Sequence, residues 1–473
     1  MTGRWTESPR VAVVGGGLAG LAAGCALAQS GLRVTLFERR PYLGGRASSY
    51  QHPGTGEVID NCQHVLLGCC TNLIDFYDRV GVSDKIRWFE QLIFLEPGGR
   101  ASAIAPSSLP SPFHTLPAFL KAHCLNLRDK MAIGAAMASL APAQMTDKGG
   151  ESFLSWLQKH GQTNRAIERF WKTVLVSALN EEIGSVSIPS AAQVIRESFL
   201  KSAAAGRMGV PTVPLTDLYG HAGEYISARS GEVRLRSSIE SFRAEVAGVR
   251  LSVTDGEEAF DFAVLALPFD ALAAILPDTS AAEPLRQSLG HFETSPITGI
   301  HLWFDREITD LSHAVLLDRT IQWMFHKSKL LACRNGGSSE TAKGSYVELV
   351  VSSSKGLVNK SKQEIVDLAA SELREFLPGA RDANLLKSTV IKEVHATYSP
   401  RPGIDAYRPQ PETVWPRVFL AGDWTATGWP ATMEGAVRSG YLAAQCVARA
   451  AGVRNAAFLV PDLPASGFMR FFG

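Results

Sequence analysis

The spacing of apolar positions changes several times along the chain, and each change marks an element. "VAVV" at 11–14 is a short unbroken apolar run, the pattern of a strand buried on both faces. Small apolar residues over 18–30 predict a closely packed helix that Gly31 closes, and "RVTLFE" at 33–38 is a second strand, so 11–38 reads as a βαβ unit. Residues 72–90 carry a helical pattern, and "LIFLEPGGRASAI" (92–104) reads as a hairpin. From Pro106 to Pro142 proline, leucine and alanine dominate, with few charges. Residues 151–210 are predicted mostly helical, with Phe153, Trp156, Leu157, Phe170, Trp171 and Val174 as the apolar face. Period-two alternation takes over at 231–268, with a turn at Asp255-Gly256, and β-like runs recur through 296–350. An amphipathic helix is expected over 361–377, a buried strand in "RVFLAGDW" (417–424), and a long helix from about Thr432 to Ala451.

Composition changes this picture little. With 473 residues, 45% apolar and 20% charged, the chain suits two or three ordinary globular cores. Lysine and arginine number 47 against 46 acidic residues, which gives no electrostatic reason to expect nucleic acid. The uncharged stretch "VAVVGGGLAGLAAGCALA" has the length of a membrane span, but its glycines divide it into strand, turn and helix, so no transmembrane segment is expected. Seven scattered cysteines without CxxC fit reduced thiols in a cytoplasm. Three of them crowd into "EVIDNCQHVLLGCC" (57–70) beside His64, at spacings that suit no zinc site, so no metal is expected.

Candidate chemistry begins at "GGGLAG". Gly15 allows the tight turn, Gly17 lets a pyrophosphate approach the backbone, and Gly20 lets the helix pack on the sheet. Leu18 and Ala19 open that helix, whose free N–H groups suit phosphate. Glu38, next to Arg39 at the end of the second strand, is placed for ribose hydroxyls. "GGR" at 44–46 adds Gly45 for close approach and Arg46 for a phosphate. Far along the chain, "VFLAGDWTATGWPATMEGAVRSG" (418–440) ends a strand at Gly422-Asp423 and starts a helix at Thr432, Met433 and Glu434. Asp423 there suits a ribityl hydroxyl, and the helix start suits negative charge on a reduced flavin ring. The nucleotide signals thus lie at both ends and in the middle, which implies a discontinuous α/β domain with a second domain inserted in pieces.

These motifs resemble the flavin amine oxidase and phytoene desaturase superfamily, which combines an N-terminal GxGxxG, a GGR loop and an AGD strand leading into an MEGA helix. The resemblance spans nearly the whole chain. It implies an α/β fold with a discontinuous Rossmann-like FAD-binding domain of the glutathione reductase type (10–70, 217–275 and 410–455) and an inserted α+β substrate domain (71–216 and 276–409). It implies FAD, bound non-covalently because 424–436 lacks a cysteine, with the Ile239 backbone at the adenine half. "IDNCQHVLLGCCTN", "RFWKTVLVSALN", "HLWFD", "QWMF" and "GWPATMEGAVRSG" further resemble the bacterial hydroxysqualene dehydroxylases. Those enzymes use reduced FAD to convert hydroxysqualene to squalene and water in hopanoid-type triterpene synthesis. The long apolar isoprenoid would then be the substrate, and an unidentified electron donor would reduce the flavin.

That chemistry asks for a proton donor and for groups that tolerate a transient allylic cation. His64, with Asp60 as its neighbour, is the expected acid, and His395 is a weaker second choice. Aromatic faces, worth about 0.5–2 kcal/mol each toward a cation, are offered by Trp429 as a catalytic candidate and by Trp303, Trp323 and Phe325 as pocket walls. The 106–142 segment and the tail "AAFLVPDLPASGFMRFFG" are expected to meet the membrane interface. The expected location is the bacterial cytoplasm, peripheral to the inner membrane. Alternatives of the same fold are a carotenoid-type desaturase and a flavin amine oxidase. A non-enzymatic alternative is a prenyl-binding protein such as the GDP-dissociation inhibitors.

Overall fold

Why the N-terminal third folds as it does follows from its smallest residues. The strand Arg10–Val14 and the helix Leu18–Gln29 are buried almost throughout, which only short side chains permit at that density. The computed structural model describes residues 8–52, 56–141, 145, 150–254, 256–331, 344–454 and 456–472; Asp255, Pro142 and Cys333 lie outside the described residues. Arg10–Val14 is the centre of a five-stranded parallel sheet, in the order Glu232–Leu235, Arg33–Glu38, Arg10–Val14, Phe262–Leu265 and Val418–Leu420. Against one face pack Leu18–Gln29, Leu215–Ser227 and Met433–Ala450. A β carbon on Gly440 would stand 2.2 Å from the Ala19 carbonyl oxygen, so glycine there sets how closely the first and last of these helices approach. The other face is covered by an antiparallel sheet of Ile239–Ala244, Val249–Val253 and Gly256–Phe260.

A second, seven-stranded sheet holds Leu385–Tyr398, Thr294–Phe304, Ser345–Ser352, Trp323–His326, His313–Leu316, Leu92–Leu95 and Ala101–Ile104. Helix Lys362–Phe376, closed at its start by a Ser361/Glu364 capping box, covers this sheet. A helical layer formed by 116–140 and 153–206 packs beside it around Phe153, Trp156 and Trp171. Two stretches of that layer, Ile167–Lys172 and Arg196–Leu200, are wound as π-helix, a geometry that re-aims side chains within an otherwise regular helix.

Three segments differ from the pattern read in the sequence. Of 72–90, the α-helix is confined to Thr71–Arg79 and a 3₁₀ turn to Ser83–Lys85; Gly81 in the left-handed region (φ +73°) ends the first, and Ile86–Phe89 is a strand. The strand Met208–Pro211 replaces the end of the expected helical stretch, pairing with Ile86–Phe89 and Leu66–Leu67. Helix Leu215–Ser227 had no counterpart in the sequence reading.

Candidate active site

The two nucleotide-type loops are stacked on each other by their glycines. Gly15 leaves the strand at φ +110°, and a β carbon there would lie 2.4 Å from the Ala266 carbonyl oxygen. Gly44 donates to the Gly16 carbonyl at 2.9 Å, and a β carbon on Gly45 would stand 2.8 Å from Gly17 Cα. Gly17 is different: its backbone is extended, and a β carbon would meet no protein atom nearer than 3.8 Å. The protein itself therefore has room for a side chain at Gly17, and the space in front of it is left for something else. Gly20 is the reverse case, a contact of helix against turn in which a β carbon would stand 1.9 Å from the Gly15 carbonyl oxygen.

Around this cradle sit the polar groups expected of it. Glu38 accepts from the backbone N–H groups of Gly16 and Arg40, both at 2.7 Å, which fixes its carboxylate at the strand end on the cavity wall. Arg39, Leu18, Ala19 and Ile239 line the same cavity. Arg46 Nη2 lies 2.6 Å from Asp423 Oδ1, and its Nη1 donates to the Ala396 carbonyl. Two motifs 377 residues apart are thus one ion pair on the cavity wall. Thr432 caps the last helix by accepting from Gly435 N–H, and Gly422, Met433 and Thr432 also border the cavity. A cavity lined by a bare glycine, a ribose-type carboxylate and a second carboxylate beside a helix start fits a flavin dinucleotide.

The cavity, about 690 Å³, continues from the cradle into an apolar arm. Trp323 and Phe325 stack at 5.5 Å on its wall, with Trp323 Nε1 held by Ser177 Oγ at 2.7 Å. Leu92, Phe94, Met208 and Val315 extend the apolar lining. Trp429 lines it too, with the Arg438 guanidinium 5.5 Å from its ring centre. His64 faces the cavity, and its Nδ1 donates to the Cys62 carbonyl at 2.8 Å. A carbonyl oxygen only accepts, so this bond leaves Nε2 with a free lone pair in the neutral ring. Burial holds the His64 pKa below 6.5. His64 is therefore in place on the wall, where burial favours the neutral ring.

Three expectations need correction, and a fourth holds in part. Asp60 is not on the cavity wall: it accepts from Lys327 Nζ at 2.7 Å, Ser49 Oγ at 2.6 Å and Leu215 N–H at 3.1 Å. Burial opposes its charge, but Lys327 and these bonds outweigh it and hold the carboxyl below its usual range. Glu434 borders the cavity as expected, but its carboxylate is spent on the start of helix Thr71–Arg79, accepting from Asn72 and Leu73 N–H, and it pairs with Arg438. Trp303 stacks on Tyr346 at 4.3 Å under the Lys387 ammonium, away from the cavity. His395 is exposed and meets Thr294 Oγ1; Glu393, two residues earlier, is the one that lines the cavity. A bulge between the pairs Ser295–Thr397 and Ile297–Glu393 breaks the alternation that would have put both on one face.

The sequence reading also missed Asn180, Gln193 and Glu197 on the wall. Asn180 stands in the left-handed region at the end of its helix, a position asparagine tolerates, and binds Ser295, Thr397 and Ser353. Among the described residues, no group of His, Cys, Asp and Glu is arranged to hold a metal ion.

Comparison with known proteins places these observations. Residues 18–448 match the family described as flavin containing amine oxidoreductase. The 15-cis-phytoene desaturase of Synechococcus elongatus is 28% identical over 471 residues, covering 93% of this chain and 95% of that protein. The zeta-carotene desaturase of a Synechocystis strain is 25% identical, covering 93% and 97%. Among solved structures, an oxidoreductase from Methanosarcina mazei superposes with a TM-score of 0.70 at 17% identity, covering 91% of this chain and 98% of that one, a likeness of fold.

Proposed function

The chain belongs to the flavin-containing amine oxidoreductase family and is a flavin-dependent oxidoreductase; on that premise we propose that its substrate is a long apolar isoprenoid, desaturated in the manner of a carotenoid desaturase. The observation that carries this reading is the cavity, which runs unbroken from the glycine cradle into an arm walled by Phe94, Met208, Trp323 and Phe325. Each methylene buried in such an arm contributes about 0.8 kcal/mol, so a linear hydrocarbon gains binding along its length. Named relatives that are carotenoid desaturases point the same way.

A bound flavin supplies the acceptor for a hydride. Gly17, Glu38, Arg46 and Asp423 would hold it, and the arm's apolar walls exclude water. The carbon next to the one oxidised must also release a proton, and Nε2 of His64 is the free base on this wall. The stacked faces of Trp323 and Phe325 steady any positive charge that develops, by about 0.5–2 kcal/mol each. We take the flavin as non-covalent. No cysteine lies in 424–436, and burial raises the Cys62 thiol well above its usual range.

Reductive dehydroxylation of hydroxysqualene is a second reading, favoured by the loop 57–70, whose Cys62, Gln63 and His64 all reach the cavity. It runs hydride the other way, needs an electron donor, and asks for an acid where His64 offers a base. Purified FAD-loaded protein, incubated without oxygen, separates the two. Phytoene or squalene consumed with a quinone acceptor supports desaturation, and squalene formed from hydroxysqualene with a flavin reductant supports the second reading. Turnover of amines alone overturns both.

A further inference from the structure

Nine of the sixteen large apolar side chains exposed among the described residues fall in two short segments that are distant in sequence and adjacent in space. One segment, 109–131, exposes Leu109, Phe113, Leu116, Leu120, Leu127 and Met131. The other is the C-terminal 468–472, with Phe468, Phe471 and Phe472. They are clasped together: Phe468 N–H donates to the Ser111 carbonyl at 2.8 Å, Ser111 and Ser466 hydroxyls meet at 3.0 Å, and the Phe113 and Phe468 rings lie 6.0 Å apart. Gly467, at φ +54°, lets the tail pass Ser111 where a β carbon would stand 2.6 Å from its backbone.

The surface is built on elements that pack against the cavity wall. Upstream in the same tail, Leu463 packs on the cluster of Cys69, Ala205 and Trp429, of which Cys69 and Trp429 line the cavity, and Ser466 N–H donates to the Lys201 carbonyl. Beneath the patch, Met469 and Phe119 share a core with Phe94 and Trp323 of the apolar arm.

Its charge is one-sided. Lys121, Arg128 and Arg470 are exposed and make no ion pair among the described residues. The one acid in 106–131 and 463–472 is Asp129, buried as the capping partner of Asn126.

We propose that 109–131 and 463–472 form one docking surface that seats on an anionic bilayer, its phenylalanines and leucines in the interface and its cations on lipid phosphates. A second copy of the chain fits less well. A two-fold contact would set the same unpaired cations of both copies against each other with no acid between them. An anionic membrane supplies apolar depth and negative charge together. Docking there would bring the apolar arm to the phase in which an isoprenoid dissolves, though the docking itself does not depend on which reaction follows.

The test is sedimentation of the FAD-loaded protein with vesicles of phosphatidylcholine alone and of phosphatidylcholine containing one-third phosphatidylglycerol, without substrate. Binding should favour the phosphatidylglycerol vesicles and weaken with salt. Arg128→Gln and Arg470→Gln should each lower partitioning about fivefold. The double variant Phe471→Ser/Phe472→Ser should lower it about tenfold or more. Val246→Ser, fully exposed elsewhere, should change nothing, and flavin absorbance reports that each variant is folded. Absence of vesicle binding, equal binding to both vesicle types, or a dimer that the phenylalanine variant dissociates in place of vesicle binding would each overturn the proposal.

Discussion

Gly17 and Gly20 stand three residues apart in one motif, and the structure assigns them opposite work, which alanine substitution can separate. At Gly17 the backbone has φ −78° and ψ 177°, a conformation open to any residue, and the added methyl has its nearest protein neighbour at 3.8 Å. Replacing glycine there removes about 0.4–1 kcal/mol of unfolded-chain entropy. Against this stands a loss of similar size, because alanine is a poorer residue than glycine at a helix start. The fold should therefore be altered by less than about 1 kcal/mol. At Gly20 the methyl would have to sit 1.9 Å from the Gly15 carbonyl oxygen and 3.3 Å from the Ala266 side chain. Backbone must move to admit it, and such overpacking costs about 1–3 kcal/mol or more.

Flavin affinity should divide the two in the opposite sense. A methyl on Gly17 occupies the approach to the helix N–H groups, and each charge-assisted phosphate bond lost is worth about 1.5–3 kcal/mol. One such bond corresponds to a Kd roughly 10- to 150-fold weaker. Urea unfolding of the flavin-free protein, paired with FAD titration by flavin fluorescence, measures both quantities. Gly17→Ala should unfold like the parent protein and bind FAD poorly; Gly20→Ala should unfold early even without FAD. If Gly17→Ala loses as much flavin-free stability as Gly20→Ala, or binds FAD with unchanged affinity, the assignment of an open phosphate approach to Gly17 is wrong.

Four further outcomes follow from buried groups. Lys327→Met should destabilise by about 3–5 kcal/mol in denaturant melts, since it strands Asp60 and Glu348, both buried within 3.4 Å of the ammonium. Glu434→Gln should cost about 1–3 kcal/mol of stability while FAD affinity stays within a few-fold, because its carboxylate caps Thr71–Arg79. Burial lowers the His301 pKa to about 3 and that of His326 to about 4. Unfolded histidines take up protons near pH 6.5. The unfolded state therefore binds more protons below that pH, and stability should fall as pH drops, by about 1.4 kcal/mol per unit for each group; a urea midpoint flat down to pH 5 would contradict this. Finally, with His64 acting as a base of lowered pKa, substrate turnover should be flat above about pH 6.5 and decline only on acidification. A rate that rises through neutral pH, or that His64→Gln leaves untouched, removes it from the proton step.

What could be read in the sequence was whatever the backbone demands locally. A glycine that must turn, a carboxylate at a strand end and a helix start are visible because their neighbours in sequence are their neighbours in space. Glu38 shows this: the N–H groups that fix it belong to Gly16 and Arg40, within the same βαβ unit. Asp60 shows the limit. Its cation is Lys327, 267 positions away, so a carboxylate next to a candidate histidine in sequence is a buried structural anion in space. Glu434 sits in a motif that does border the cavity, yet a string of letters does not say whether the backbone or the side chain faces it; here the side chain turns back to cap another helix. Trp303 and Trp323 lie in two strands of one sheet and read alike, but only the second has its ring on the cavity side. The arm is harder still. Leu92, Val174, Met208, Trp323 and Val350 come from five separate segments, each apolar for reasons of its own core, and nothing within any one segment announces that a gap remains where they converge. The polar groups along that gap include His64, Glu393 and Glu197, whose orientation is set by a carbonyl bond, a bulge and a π-helical turn. Those are features of tertiary packing, and no local pattern could have brought these three side chains together.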